Sequence, residues 1–106
     1  MNIHIIRTDG TEERIVAPWA NICKLIGAQT LDTVNLRDGR VMCVDDDGYE
    51  TECVDHGGGR IELRPIAARK PVNAKATKLY HAVCLPGRMH QIVGDVAIIV
   101  DAEVDR

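Results

Sequence analysis

The stretch LDTVNLRDGRVMCVDDDGYETECV, residues 31–54, holds two Asp-Gly pairs between runs rich in Val, Leu and Thr. An Asp-Gly pair suits a tight hairpin turn because both of its residues tolerate positive φ. The stretch therefore predicts strands over residues 31–37, 40–45 and 49–54, folded back across Asp38-Gly39 and Asp47-Gly48. Upstream, Asp9-Gly10 separates the alternating Ile3 and Ile5 from a second extended run at residues 12–16, which gives one more hairpin. Such a chain predicts a meandering antiparallel sheet.

Two helices punctuate it. Pro18 has the fixed φ and the missing N–H of a first helical residue, and Trp19, Ile22, Cys23 and Ile26 recur at i, i+3, i+4 and i+7. Gly27 is the natural stop. Residues 57–59, three glycines, read as a turn before a strand-like segment at 60–64, without the Gly-Lys-Ser/Thr ending of a phosphate loop. Residues 65–72 read as an extended connection, because both prolines resist helix and central-strand pairing. Asn73 then caps a second helix in which Ala76, Leu79, Tyr80 and Val83 repeat the helical spacing, Lys75, Lys78 and His81 face outward, and Pro86-Gly87 ends the run. Residues 92–100 are almost continuously apolar, the mark of a strand covered on both faces. Within that run Gly94-Asp95 reads as a bulge. The expected architecture is a single α+β domain over residues 1–106: a mainly antiparallel meandering sheet of about six to seven short strands with both amphipathic helices packed on one face.

At 106 residues and 11.7 kDa the chain is one domain's worth, and 45 % hydrophobic with 27 % charged residues is ordinary globular usage. It contains no Phe and no Ser, and its aromatics are Trp19, Tyr49 and Tyr80, so the core is expected to be aliphatic and serine-hydrolase chemistry is excluded. No apolar run approaches the roughly 20 residues of a membrane span, and the N-terminus carries His4 and Arg7 inside its short apolar stretch, so a cytoplasmic protein is expected. Cys23, Cys43, Cys53 and Cys84 are then free thiols or metal ligands, with Cys23 and Cys43 falling at core positions.

The net charge of −3 hides opposite blocks. Residues 38–56 carry seven acids (Asp38, Asp45, Asp46, Asp47, Glu50, Glu52, Asp55) against Arg40 alone, a net of −6. Residues 57–90 carry seven bases (Arg60, Arg64, Arg69, Lys70, Lys75, Lys78, Arg88) against Glu62 alone, a net of +6. These seven bases are the candidate binding residues, helped by the positive N-terminal end of the second helix. A phosphorylated small molecule or an acidic protein surface suits them. The negative net charge, the scarcity of stacking aromatics and the lack of a nucleic-acid-binding motif argue against duplex or single-strand recognition. The alternative is that the two blocks neutralise each other in the fold.

Other chemistries leave weaker traces. Cys53-x-x-His56 and His81-x-x-Cys84 together offer a two-cysteine, two-histidine zinc set, although helical geometry turns His81 away from the stripe that Cys84 borders. Residues 45–48 resemble the start of a calcium loop but lack its later ligands, and a hairpin turn explains the acids better. Cysteine nucleophiles with histidine bases are possible in composition, yet no spacing joins them. No cofactor is expected.

The segment at residues 25–50, then KPVNAKAT and IVGDVAIIV, resembles a family of small domains of unknown function carried mainly by phages, prophages and plasmids. Members show a GGYIEVVRL strand, an acidic VNEEG-like turn, a PxNxxAT helix start and a closing IVGDVVVV strand. Here Asp45 to Gly48 stand at the acidic turn, Asn73, Ala76 and Thr77 at the helix start, and Ile92 to Val96 at the closing strand. The chain departs from the pattern in a single Gly27 for the double glycine and in a longer stretch between Tyr49 and Pro71. The resemblance implies a non-catalytic accessory protein of a mobile element that inhibits a host defence system by binding, here through the basic surface. A homodimer is expected from the open edges of a short sheet. The alternatives are a module that holds a phosphorylated small molecule or nucleotide signal, and a cysteine- or zinc-dependent enzyme.

Overall fold

The computed structural model describes residues 1–84 and 90–100. Its elements are β1 (Asn2–Ile6), β2 (Glu12–Val16), a 3-10 turn (Trp19–Asn21), α1 (Ile22–Ile26), β3 (Leu31–Asn35), β4 (Val41–Asp45), β5 (Tyr49–Gly57), β6 (Arg60–Ala68), α2 (Ala74–His81) and β7 (Val96–Ile99). The α+β class and the antiparallel pairing agree with the sequence. The single meander does not. Five strands form one sheet in the order β2-β1-β7-β4-β3, and β5 and β6 form a separate two-stranded ribbon.

The late strand β7 inserts between β1 and β4, pairing Ile5 with Ala97 on one side and Met42 with Ile98 on the other. All four of its residues are buried, as a strand covered on both faces requires. Because side chains alternate, its two faces feed two cores. On one, Ile3, Ile5, Cys43, Ala97 and Ile99 pack with Ile22 and Ile26 of α1. On the other, Ile6, Met42, Val44, Val96 and Ile98 pack with Ala76 of α2, flanked by Leu79 and Tyr80. The helices thus cover opposite faces of the sheet, not one face. A helical stripe specifies that a helix docks; the parity of the strand residues it meets decides on which side.

Local differences have local causes. Gly27 closes α1 in the left-handed conformation, φ +68°, as expected. Trp19 leaves the stripe and is 48 % exposed, in a 3-10 turn that precedes α1 and buries none of its residues. Strand β6 continues to Ala68, through residues 65–68 that were expected to be a connection. After β4 the chain passes close to the segment before β7 at Gly48, where a Cβ would lie 2.6 Å from the Val93 side chain, a crossing that glycine permits. Gly94 has φ +79°, and Asp95 accepts from the Arg7 guanidinium at 2.8 Å and from Thr8 N–H at 3.0 Å, which anchors the β1–β2 turn to the entry of β7. Among the described residues no helix is long and apolar enough to cross a membrane. The expected helix end at Pro86-Gly87 lies outside the described residues.

Asn73 does more than cap α2. Its Oδ1 accepts from Ala76 N–H at 3.1 Å, while Nδ2 donates to the carbonyls of Ile6 at 2.9 Å and Gly94 at 3.0 Å. Its own N–H donates to Ile92 O at 2.8 Å. The residue is 1 % exposed, so each of these groups would lose a partner without gaining water. We expect Asn73→Ala to cost about 3 kcal/mol in urea unfolding. Asn73→Asp should do no better, since its carboxylate would face two carbonyl oxygens; an Asp chain as stable as the wild type would refute this assignment of the amide.

Candidate functional site

The opposite charge blocks meet at the root of the β5–β6 ribbon. Arg69 pairs with Asp47 at 3.0 Å, and its N–H donates to Gly48 O. Lys70 pairs at 2.5 Å with Asp45, whose side chain is only 4 % exposed, and also donates to Gly27 O at 2.7 Å. Further along the ribbon, Arg64 lies 3.3 Å from Glu62 and 4.0 Å from Glu52. Lys75 of α2 is bonded to Glu12. Four of the seven candidate bases are therefore engaged with carboxylates. Arg60, beside the ribbon's glycine turn, and Lys78, on α2, make no ion pair among the described residues, and Arg88 lies outside them.

One part of the basic stretch does converge. A cavity of about 290 Å³ between β1 and α2 is lined by His4, Glu12, Arg40, Lys75 and Lys78. His4 Nε2 lies 2.6 Å from Glu12, while its Nδ1 is buried with no hydrogen-bond partner. Lys75 first, and His4 second, hold the Glu12 carboxyl below its usual range. The sequence reading placed Lys75 and Lys78 in the binding set but missed His4 and Arg40, whose distance along the chain gave no sign of the encounter.

The zinc set does not assemble. Cys53 and His56 lie on the ribbon, where His56 Nε2 meets Glu62 at 2.7 Å, whereas His81 on α2 bonds the carbonyl of His90 at 2.6 Å. No group of three or more His, Cys, Asp or Glu suited to a metal ion occurs among the described residues. All four cysteines are free. Cys43 is fully buried as expected, and burial pushes its thiol up to about 11, with Cys23 adding to the shift. Such a thiol is a poor nucleophile.

The ribbon itself has two unlike faces. Its register sets Cys53 against Leu63 and Asp55 against Ile61, with Glu52 against Arg64 and Val54 against Glu62 on the reverse. The reverse face carries the carboxylate, guanidinium and imidazole contacts. On the first face, beside Asp55, two large apolar side chains stand open: Ile61 is 66 % and Leu63 71 % exposed. A bulge between Glu50 and Thr51 leaves Ile66 unpaired on β6, and it is 55 % exposed. The alternation of Ile61-Glu62-Leu63-Arg64 was legible, but it reads the same for a half-buried strand as for one standing in water.

No protein-family model, curated protein or solved structure matches this chain.

Two outcomes separate structural from available groups. Lys70→Met should lose about 2 kcal/mol because the Asp45 carboxylate stays buried without its partner, whereas Lys78→Met should change stability by less than about 0.5 kcal/mol. Iodoacetamide at mildly alkaline pH should label the exposed Cys53 well ahead of Cys43, as peptide mass mapping over time will show.

Proposed function

We propose that this is a non-catalytic binding protein that works through its β5–β6 arm. The observation that carries this reading is the open face on which Ile61 and Leu63 stand, with Ile66 also exposed at the bulge, on a ribbon outside both cores. A two-stranded hairpin is marginal in water by itself, and a contiguous exposed apolar face is the usual mark of a protein contact. The opposite face is laced by its own ion pairs, so the contact is apolar and should depend little on salt. The resemblance to mobile-element proteins supports a host defence protein as the partner class, engaged by the arm in place of the basic stretch. We attach the expected homodimer to the same arm, because among the described residues both ribbon edges lack a strand partner, while the sheet edges carry charges at Glu12, Glu13 and Arg14 of β2 and Asp32 of β3.

In a strain whose nuclease-based defence restricts a phage, expression of the wild-type chain should raise plating efficiency, and the Ile61→Asp, Leu63→Glu chain should not. Both substitutions lie on exposed side chains, so thermal melts of the two chains should agree. Equal protection by the double variant would remove the arm from the contact, and no protection by the wild type across a panel of defences would remove the partner class. Sedimentation of the same two chains reads the dimer.

A second reading rests on the β1–α2 cavity. Lys78, which makes no ion pair among the described residues, lines it with Lys75 and with Arg40, itself paired to Asp38 at 2.7 Å, and this basic set suits a phosphorylated small molecule. Native mass spectrometry of protein purified from cells should then show a retained phosphate-bearing mass that Lys78→Glu abolishes; a bare wild-type chain counts against it.

A further inference from the structure

At the root of the arm a cavity of about 280 Å³ opens between the end of β4, the start of β5 and the segment that follows α2. Its lining has three chemically distinct parts. One part is aliphatic, with Val34, Val44, Ile92 and Val93. One wall is aromatic: the His90 ring lies 5.1 Å from Tyr49 at a tilt of 43° and 5.9 Å from Tyr80, edge-on at 75°. The Tyr49 hydroxyl donates to Gln91 O at 2.6 Å, which fixes that ring beside the opening. The remaining wall holds acids.

Those acids are not alike. Asp45 is neutralised by Lys70, and its neighbour Asp47 by Arg69. Asp32 and Asp46 line the cavity and make no ion pair among the described residues, although Asp32 Oδ1 accepts from Thr33 N–H at 2.8 Å. Among the described residues no Lys or Arg lines the cavity. Among the described residues Asp9, Glu50 and Asp55 also lack an ion pair, but Asp32 and Asp46 are brought to one space together with two tyrosines and a histidine.

We propose that this cavity binds an organic cation, an alkylammonium or alkylguanidinium group, with its alkyl part against the aliphatic side chains and its charge between the rings and the carboxylates of Asp32 and Asp46. Each alternative fails on one part of the lining. An anion would meet uncompensated carboxylates. A hard metal ion needs six or more oxygens at short range and gains nothing from rings or valines. A neutral apolar molecule would leave the carboxylates unused, whereas a soft cation is attracted by both tyrosine faces and carboxylates. The size suits a single side-chain-sized group more than a nucleotide. The cation can come from a free amine or from a Lys or Arg side chain of a protein; the chemistry of recognition is shared.

The test uses butylguanidinium as probe and butylurea, its neutral near-isostere, as control, each titrated into the ¹⁵N-labelled full chain at about pH 8, where an ordinary imidazole is neutral. Butylguanidinium should shift the amides of Asp32, Asp46 and Tyr49 saturably, and butylurea should not. Asp32→Asn with Asp46→Asn keeps the side-chain shape and the Thr33 contact, so the fold should persist, and binding should weaken about tenfold. Equal shifts from butylurea, or unchanged binding by the double Asn chain, would overturn the proposal. A Gly-Arg-Gly peptide that binds more tightly than butylguanidinium assigns the cation to a protein side chain; equal or weaker binding assigns it to a free amine. The outcome is independent of the arm, since Ile61→Asp with Leu63→Glu leaves every cavity residue in place.

Discussion

The fold turns on one buried amide. Asn73 is polar, almost fully enclosed and satisfied on every side, and its partners belong to parts of the chain that no local rule would bring together: the end of β1, the loop before β7 and the first turn of α2. Buried polar groups of this kind contribute less to net stability than to uniqueness, because any other arrangement leaves several of them without partners. Thr77 extends the same device one helical turn on, exchanging hydrogen bonds with the N–H and C=O of Ile92. Together they fix where the chain segment before β7 runs, and hence which gap in the sheet β7 fills.

The sequence disclosed the elements better than their arrangement. Asp-Gly turns, the Gly27 stop and the Asn73 cap act through neighbours a few residues away, so a linear reading finds them. Sheet order acts through contacts across the whole chain: nothing in residues 96–99 says that Ile5 and Met42 are their flanking partners. The same limit applies to the helices, whose apolar stripes carry no record of which sheet face they meet. The ribbon is the sharpest case. Its apolar alternation is indistinguishable from that of a core strand, and neither its separation from the sheet nor the close crossing of Gly48 over Val93 beside its root can be read from a linear pattern.

Charge followed the same logic. The −6 and +6 blocks were evident as arithmetic. Their function depended on whether they faced a ligand or each other, and the ribbon's return brings Arg69 and Lys70 back onto the acidic turn that precedes it. A hairpin inserted between opposite charge blocks joins them at its base. Among the described residues the cancellation leaves Arg60 and Lys78 without ion pairs on the basic side and Asp46, Glu50 and Asp55 on the acidic side, and of these acids Asp46 joins Asp32, from outside the block, at one cavity.

The central place of β7 has a consequence for synthesis. A nascent chain that has emerged only as far as α2 possesses β1 and β4 but lacks the strand that lies between them, so both hairpins expose unpaired inner edges and half-formed cores. Consolidation must await the arrival of residues 96–99, which makes the domain dependent on contacts of very high sequence separation and its assembly slower than its size suggests. Until then the early strands present the ribosome and its attendant chaperones with the open edges that the finished molecule hides.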